Sequence, residues 1–207
     1  MRMANLIDGE WVDAASGEDF ADLNPSDTTD VVADVPGCGE DEVGLAIAAA
    51  RRAASAWAAT SPVARGEILH RAAQGLRARV DRSAQVLSRE AGKPLADARG
   101  EVLKSADFLE FYAGLGRAAY GEVLPDVREG AFTHTRREPL GVVVAITPWN
   151  DPLLTPARKL GPALIAGNTV VLKPASDTPV IAQELAEVLQ EAGLPRGVLN
   201  TVTGPGG

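Results

Sequence analysis

The chain has a single cysteine, Cys38, so no disulfide can form within it. It also lacks an uninterrupted apolar run of about 20 residues, the length a membrane-crossing helix requires. No secretory leader is expected either, since the opening MRMANLIDGEWVD puts Asp8, Glu10 and Asp13 where the apolar core of a signal peptide would lie. Positive charge is in short supply. With 28 acidic against 20 basic residues the net charge is −8, which argues against a partner held through clustered phosphates. The arginines between Arg51 and Arg89 sit among acids in Ala-rich helical segments and fit solvated helix faces. These absences predict a soluble, cytoplasmic protein with neither a nucleic-acid nor a membrane partner. Cys38 lies in a Pro-Gly-Cys-Gly-Glu-Asp turn, where Glu40, Asp41 and Glu42 would raise its pKa, so a loop bystander is expected rather than a nucleophile.

What is present suffices for one large core: 207 residues, 45% hydrophobic and 23% charged. LIDGEWV predicts two short strands around Asp8-Gly9, a dipeptide that tolerates the positive φ angles of a tight hairpin. Asn24 to Asp27 is a second turn. From Asp41 the apolar positions Val43, Ile47, Ala50, Ala54 and Trp57 recur at helical spacing. Ser61-Pro62 opens another helix with Ile68, Leu69, Ala72 and Leu76 inward. Asp81 is the expected cap of a third, which Gly92 and Pro94 end. A fourth is predicted from Ala96 to Tyr120, with Val102, Leu103, Ala106, Leu109 and Ala113 facing inward. The following stretch alternates about Glu129-Gly130, as a projecting β-hairpin would, either pairing with another chain or covering its own domain.

From Gly141 onward, strand, helix, strand, helix and strand alternate with short joins. The fold class that follows is α/β, built on a doubly wound parallel sheet, with N-terminal strands and helices and the hairpin attached. Ligands of such sheets sit at the carboxyl ends of the strands, here the loops TPWND, KPASDTP and GPGG. Asn150 in the first loop can donate hydrogen bonds without carrying charge, as a developing oxyanion requires, or can simply form a turn. Its neighbour Trp149 fits a cleft or plain packing. Lys173 in the second loop suits a nucleotide ribose or phosphate, or a solvated strand end. The glycines of the third loop permit close approach of a cofactor, or are merely terminal.

The run of Pro139, Gly141, ITPWN at 146–150, PALIAGNTVVLKP at 162–174, Thr178-Pro179 and EAGLPRGVLNTVTGPG at 191–206 resembles the aldehyde dehydrogenase superfamily. NLIDGEWV, the Asn-Pro turn, the Ala-rich helix ending near Trp57 and GKPLADARGEV at 92–102 resemble it as well, so the likeness spans nearly the whole chain. The resemblance implies an incomplete Rossmann-like cofactor domain of an NAD- or NADP-dependent enzyme that oxidises an aldehyde to a carboxylic acid through a cysteine thiohemiacetal. It makes Asn150 the catalytic oxyanion donor. It assigns Ile146, Thr147, Pro148 and Trp149 to the cofactor cleft, Lys173 to the adenosine ribose and Gly206 to the adenine side. Ser176 stands where the family often has a carboxylate for the ribose hydroxyls, which leaves room for the 2′-phosphate of NADP. Asp151 stands where an aromatic is usual, either favouring a polar or cationic aldehyde or capping the next helix.

The resemblance further implies three segments: residues 1–120 as N-terminal strands and helices of the cofactor domain, 121–139 as an oligomerisation hairpin, and 140–207 as the first half of the parallel sheet. The expected partners are a small aldehyde and further copies of the chain. The family's nucleophilic cysteine and general-base glutamate lie beyond the matched stretch, so this chain alone is expected not to turn over. A non-catalytic nucleotide-binding or dimerisation module is the alternative.

Overall fold

The structure, a computed structural model, describes residues 2–15, 17–118 and 120–204. The chain opens with the hairpin β1 (Asn5–Ile7) and β2 (Glu10–Val12), registered Leu6 to Trp11, and Asp8 and Gly9 adopt φ values of 51° and 79° as the turn demands. A second antiparallel pair follows, β3 (Asp19–Leu23) with β4 (Val31–Pro36). Between its strands, Asn24 Oδ1 accepts the Ser26 amide at 2.9 Å, forming the expected Asn-Pro turn.

Four helices come next: α1 (Glu40–Ala59), α2 (Pro62–Ala78), α3 (Val80–Ala91) and α4 (Leu95–Leu115). Glu42 closes α1 in a capping box, its carboxylate accepting the Gly39 amide at 2.8 Å and the Ala15 amide at 2.7 Å. Those backbone donors hold the Glu42 carboxyl below the usual glutamate range. Ser61 Oγ accepts the Ala64 amide at 3.2 Å, and the four expected inward residues of α2 are buried. Gly92 ends α3 with a φ of 68°.

Four expectations about these helices fail, the first being Val43 of α1, which is 38% exposed because the buried stripe runs Glu42, Ala46, Ala49, Ala50 and Trp57. Asp81 lies inside the first turn of α3 and pairs with Arg99, while Arg79 holds the cap position. Helix α4 stops at Leu115 rather than Tyr120, and Gly116 after it packs so closely that a Cβ would stand 2.4 Å from the Pro62 carbonyl oxygen. Leu103 is 38% exposed, since the inward stripe runs Ala98, Glu101, Val102, Ser105, Ala106 and Leu109.

After the short hairpin β5 (Val123–Leu124) and β6 (Thr133–His134) come β7 (Val142–Ile146), α5 (Leu154–Ile165), β8 (Thr169–Lys173), α6 (Pro179–Glu191) and β9 (Leu199–Thr201). Strands β7, β8 and β9 are parallel, and the full sheet has the order β2-β1-β9-β8-β7. Its β9 edge is therefore closed antiparallel by the N-terminal hairpin, a pairing the sequence alone did not suggest.

Alternation along β8 divides the core between two faces. Val170 and Leu172 join the large cluster built with α2 to α6, whereas Val171 joins Ala46, Ala49 and Ala50 of α1. Burial on both faces is thus achieved with the two crossover helices on one side and α1 on the other. Along β7, α1 reaches Val142 but leaves Val144 and Ile146, next on the same face, 58% and 72% exposed. Among the described residues no helix is long and apolar enough to cross a membrane.

Candidate functional site

The ends of the parallel strands bring most of the expected site residues together. Ile146 is the register partner of Lys173, and the Thr147 amide donates to the Lys173 carbonyl at 3.1 Å. Ser176, in the loop before α6, donates its hydroxyl to the Gly204 carbonyl at 2.9 Å and so ties the second loop to the residues after β9. Pro148, Trp149 and Asn150 stand exposed on the first loop, Trp149 to 62%. Gly206 lies outside the described residues.

Two clefts of about 530 Å³ each flank this end of the sheet. One is walled by Asp22, Glu90, Trp149, Ser176 and Asp177. The other lies on the α1 face and includes Cys38, Val43, Ile47, Lys173 and Thr203. Lys173 donates from Nζ to the Pro174 carbonyl at 3.1 Å, forms no ion pair among the described residues, and has its pKa pushed down by burial. A half-buried cation with unspent donors suits the hydroxyls or phosphate of a nucleotide. Thr147 Oγ1 beside it is buried without a hydrogen-bond partner among the described residues, a further unspent polar atom at the same strand end. Both features fit a nucleotide cofactor. Cys38 does not fit a nucleophile: burial, with the Glu42 charge adding, pushes its thiol pKa up.

The Asn150 side-chain amide has no hydrogen-bond partner among the described residues, while its backbone is firmly held. Lys93 Nζ donates to the Asn150 carbonyl at 2.9 Å and sits 2.5 Å from Glu101 Oε2. The other Glu101 oxygen accepts the amides of Leu153 and Leu154 at 2.9 and 3.0 Å, capping α5. Asp151 therefore does not cap this helix; its carboxylate lies 3.8 Å from Lys93 Nζ. Helix α6 is treated alike. Thr178 occupies its cap position without a side-chain bond, and Glu90 accepts the amides of Val180 and, at 3.0 Å, Ile181.

Glu90 shares its buried environment with Asp22, the two residues being 1% and 2% exposed. Burial raises the Asp22 pKa to about 6, Asp177 adding to the rise while a hydrogen bond with Glu90 and the charge of Arg89 oppose it. Burial and the Asp22 charge push Glu90 well above the usual glutamate range. Sequence reasoning missed these carboxylates. A signal existed for two of them, since Glu90 and Glu101 fall on the inward stripes of α3 and α4 where apolar residues would be expected.

Comparison with known proteins gives these features a context. The aldehyde dehydrogenase family profile matches residues 11–207. An α-ketoglutaric semialdehyde dehydrogenase of Bacillus subtilis is 42% identical over 98% of the chain and 41% of its own length. An NADP(+) succinate-semialdehyde dehydrogenase of Escherichia coli is 44% identical over 100% of the chain and 42% of its own length. A crystal structure described as an E. coli NADP-dependent enzyme superposes with a TM-score of 0.97 at 44% identity, covering all of this chain and 43% of that one. The chain thus spans about two-fifths of the length of these relatives. On a family match running from Trp11 onward, supported by a fold that agrees over its whole length, the chain belongs to the aldehyde dehydrogenase family.

Proposed function

We propose that this chain is the cofactor-binding portion of an NAD- or NADP-dependent enzyme that oxidises an aldehyde to a carboxylic acid. The observation that carries the reading is the pairing of an unspent Asn150 amide with an unpaired, half-buried Lys173 at the ends of adjacent parallel strands. When bound, the nicotinamide cofactor supplies the hydride acceptor. Lys173 holds the adenosine ribose or its phosphate, and Ile146, Thr147, Pro148 and Trp149 line the cleft leading from it. Asn150 donates to the aldehyde oxygen as negative charge grows there, the role in which a fixed neutral donor is most effective. Ser176 presents a hydroxyl in place of a carboxylate, so a 2′-phosphate meets no repulsion and NADP is accepted. The names of two relatives, both semialdehyde dehydrogenases and one of them an NADP(+) enzyme, support this and point to a short aldehyde that itself carries a carboxylate.

In this reading residues 1–120 and 140–207, including Gly206 on the adenine side, form one cofactor unit, and 121–139 forms the contact with a second copy. Val123 and Phe132, 70% and 73% exposed, support the latter. A cytoplasmic location accords with the single cysteine.

The experiment is to fuse residues 1–207 to the complementary C-terminal part of the E. coli succinate-semialdehyde dehydrogenase and follow NADPH formation. Asn150→Ala is expected to lower kcat by about 10²–10³-fold with little change in cofactor KM. An unchanged kcat would remove Asn150 from the chemistry.

A further inference from the structure

We infer that Lys93 and Glu101 are positioning residues for Asn150, acting as a clamp that fixes the backbone around it while leaving its side chain free to donate. The inference rests on the role proposed for Asn150.

The clamp is built from a turn and a helix remote in sequence from the loop it holds. Lys93 follows the left-handed Gly92 between α3 and α4, and its carbonyl accepts the Ser88 hydroxyl at 2.8 Å, which fixes the turn. Its ammonium bridges three groups: Glu101 Oε2 at 2.5 Å, the Asn150 carbonyl at 2.9 Å and Asp151 Oδ1 at 3.8 Å. The Lys93 side chain is 20% exposed and that of Glu101 5%, so water competes weakly for these contacts. Through its second oxygen Glu101 grips the amides of Leu153 and Leu154. Segment 150–154 is therefore held at its first carbonyl and its last two amides by one ion pair.

A helix cap alone needs none of this. Asp151, immediately before Pro152, is well placed in sequence to cap α5 locally, yet its carboxylate turns to Lys93. Taking two charges out of water is worthwhile mainly where it fixes one geometry among several. The geometry fixed here carries a side-chain amide with no partner among the described residues, on the exposed side of the loop. Catalytic donors tolerate little misplacement, so the clamp acts on rate more than on binding.

Selective ¹⁵N labelling of asparagine in the full chain gives five side-chain amide pairs, from Asn5, Asn24, Asn150, Asn168 and Asn200. In Lys93→Met the Asn150 pair is expected to shift or broaden while the other four hold, and Lys93→Arg to restore it in part. Glu101→Gln keeps an oxygen for the two amides but removes the negative charge that Lys93 pairs with. It is expected to fold and to move the same pair, so it decides the matter if Lys93→Met fails to fold. A folded Lys93→Met or Glu101→Gln chain with all five pairs unmoved overturns the inference. In the fused enzyme the same variants are expected to lose about tenfold in kcat at unchanged cofactor KM. Moved Asn150 resonances with unchanged kcat would uphold the clamp and instead defeat the catalytic role of Asn150.

Discussion

Replacing Asp22 by asparagine should make the protein more stable at neutral pH, although it removes a buried hydrogen-bonding carboxylate. In the folded chain Asp22 keeps its proton to about pH 6, against an ordinary value of 3.8, because burial opposes its charge and Asp177 adds to the rise. Arg89 offsets little of this, being engaged with Asp30 through Nε at 2.7 Å. The sign follows from proton counting. Between about pH 4 and 6 the unfolded chain has released this proton and the folded chain has not, so stability falls as pH rises through that window and levels off above it. A shift of roughly two units corresponds to about 3 kcal/mol. Asp22 shares its burial with Glu90, whose carboxyl is raised as well, so about 1–2 kcal/mol is the working figure for Asp22 alone. Asparagine preserves shape and can donate to Glu90, so Asp22→Asn should recover that amount at about pH 7 and almost none near pH 4. Urea unfolding across this range, compared at constant m-value, measures it. A variant less stable than the parent at pH 7, or an unaltered pH slope, would refute the reasoning.

Two other substitutions probe the turns on which the site depends. Gly92→Ala would force a side chain into a φ of 68° and bring its Cβ to 2.7 Å from Pro25 Cγ, so a loss of about 1–2 kcal/mol is expected in thermal or urea unfolding; an unchanged midpoint would contradict it. Ser176→Glu in the fused enzyme restores a carboxylate beside the ribose position and should lower kcat/KM for NADP at least tenfold relative to NAD. Equal effects on the two cofactors would place Ser176 away from the 2′ position.

The elements with local causes were legible in the sequence. Asp8-Gly9, Ser61-Pro62 and Gly92 each fixed a turn or a helix end through the φ angle or donor that residue type supplies, and the structure has them where they were expected. The parallel strands were legible because β-branched runs such as TVVLK have few alternatives. What was hidden depends on partners far along the chain. Helices α5 and α6 lack local caps because Glu101 and Glu90 supply them from 52 and 90 residues away, and no window around Asp151 or Thr178 contains that information. The same holds for the closure of β9 by β1 and for the raised Asp22 carboxyl, whose cause is tertiary burial. Of the site, Lys173 and Asn150 were visible as residue types at strand ends. That their donors remain unspent emerged only in three dimensions.

The antiparallel seam between β1 and β9 also bears on how the chain is made. Leu6 donates its amide to Thr201 Oγ1 across a separation of 195 residues, and Asn5 Oδ1 accepts the Thr203 amide across 198. At ribosomal speeds of about 5–20 residues per second, the first hairpin emerges roughly 10–40 s before the strand it must join. Throughout that interval its inner edge, with Leu6 and Ile7, is exposed to any other nascent chain. The single charge on the outer strand, Glu10, and the tight Asp8-Gly9 turn keep that hairpin short and poorly suited to stray pairing until its partner arrives.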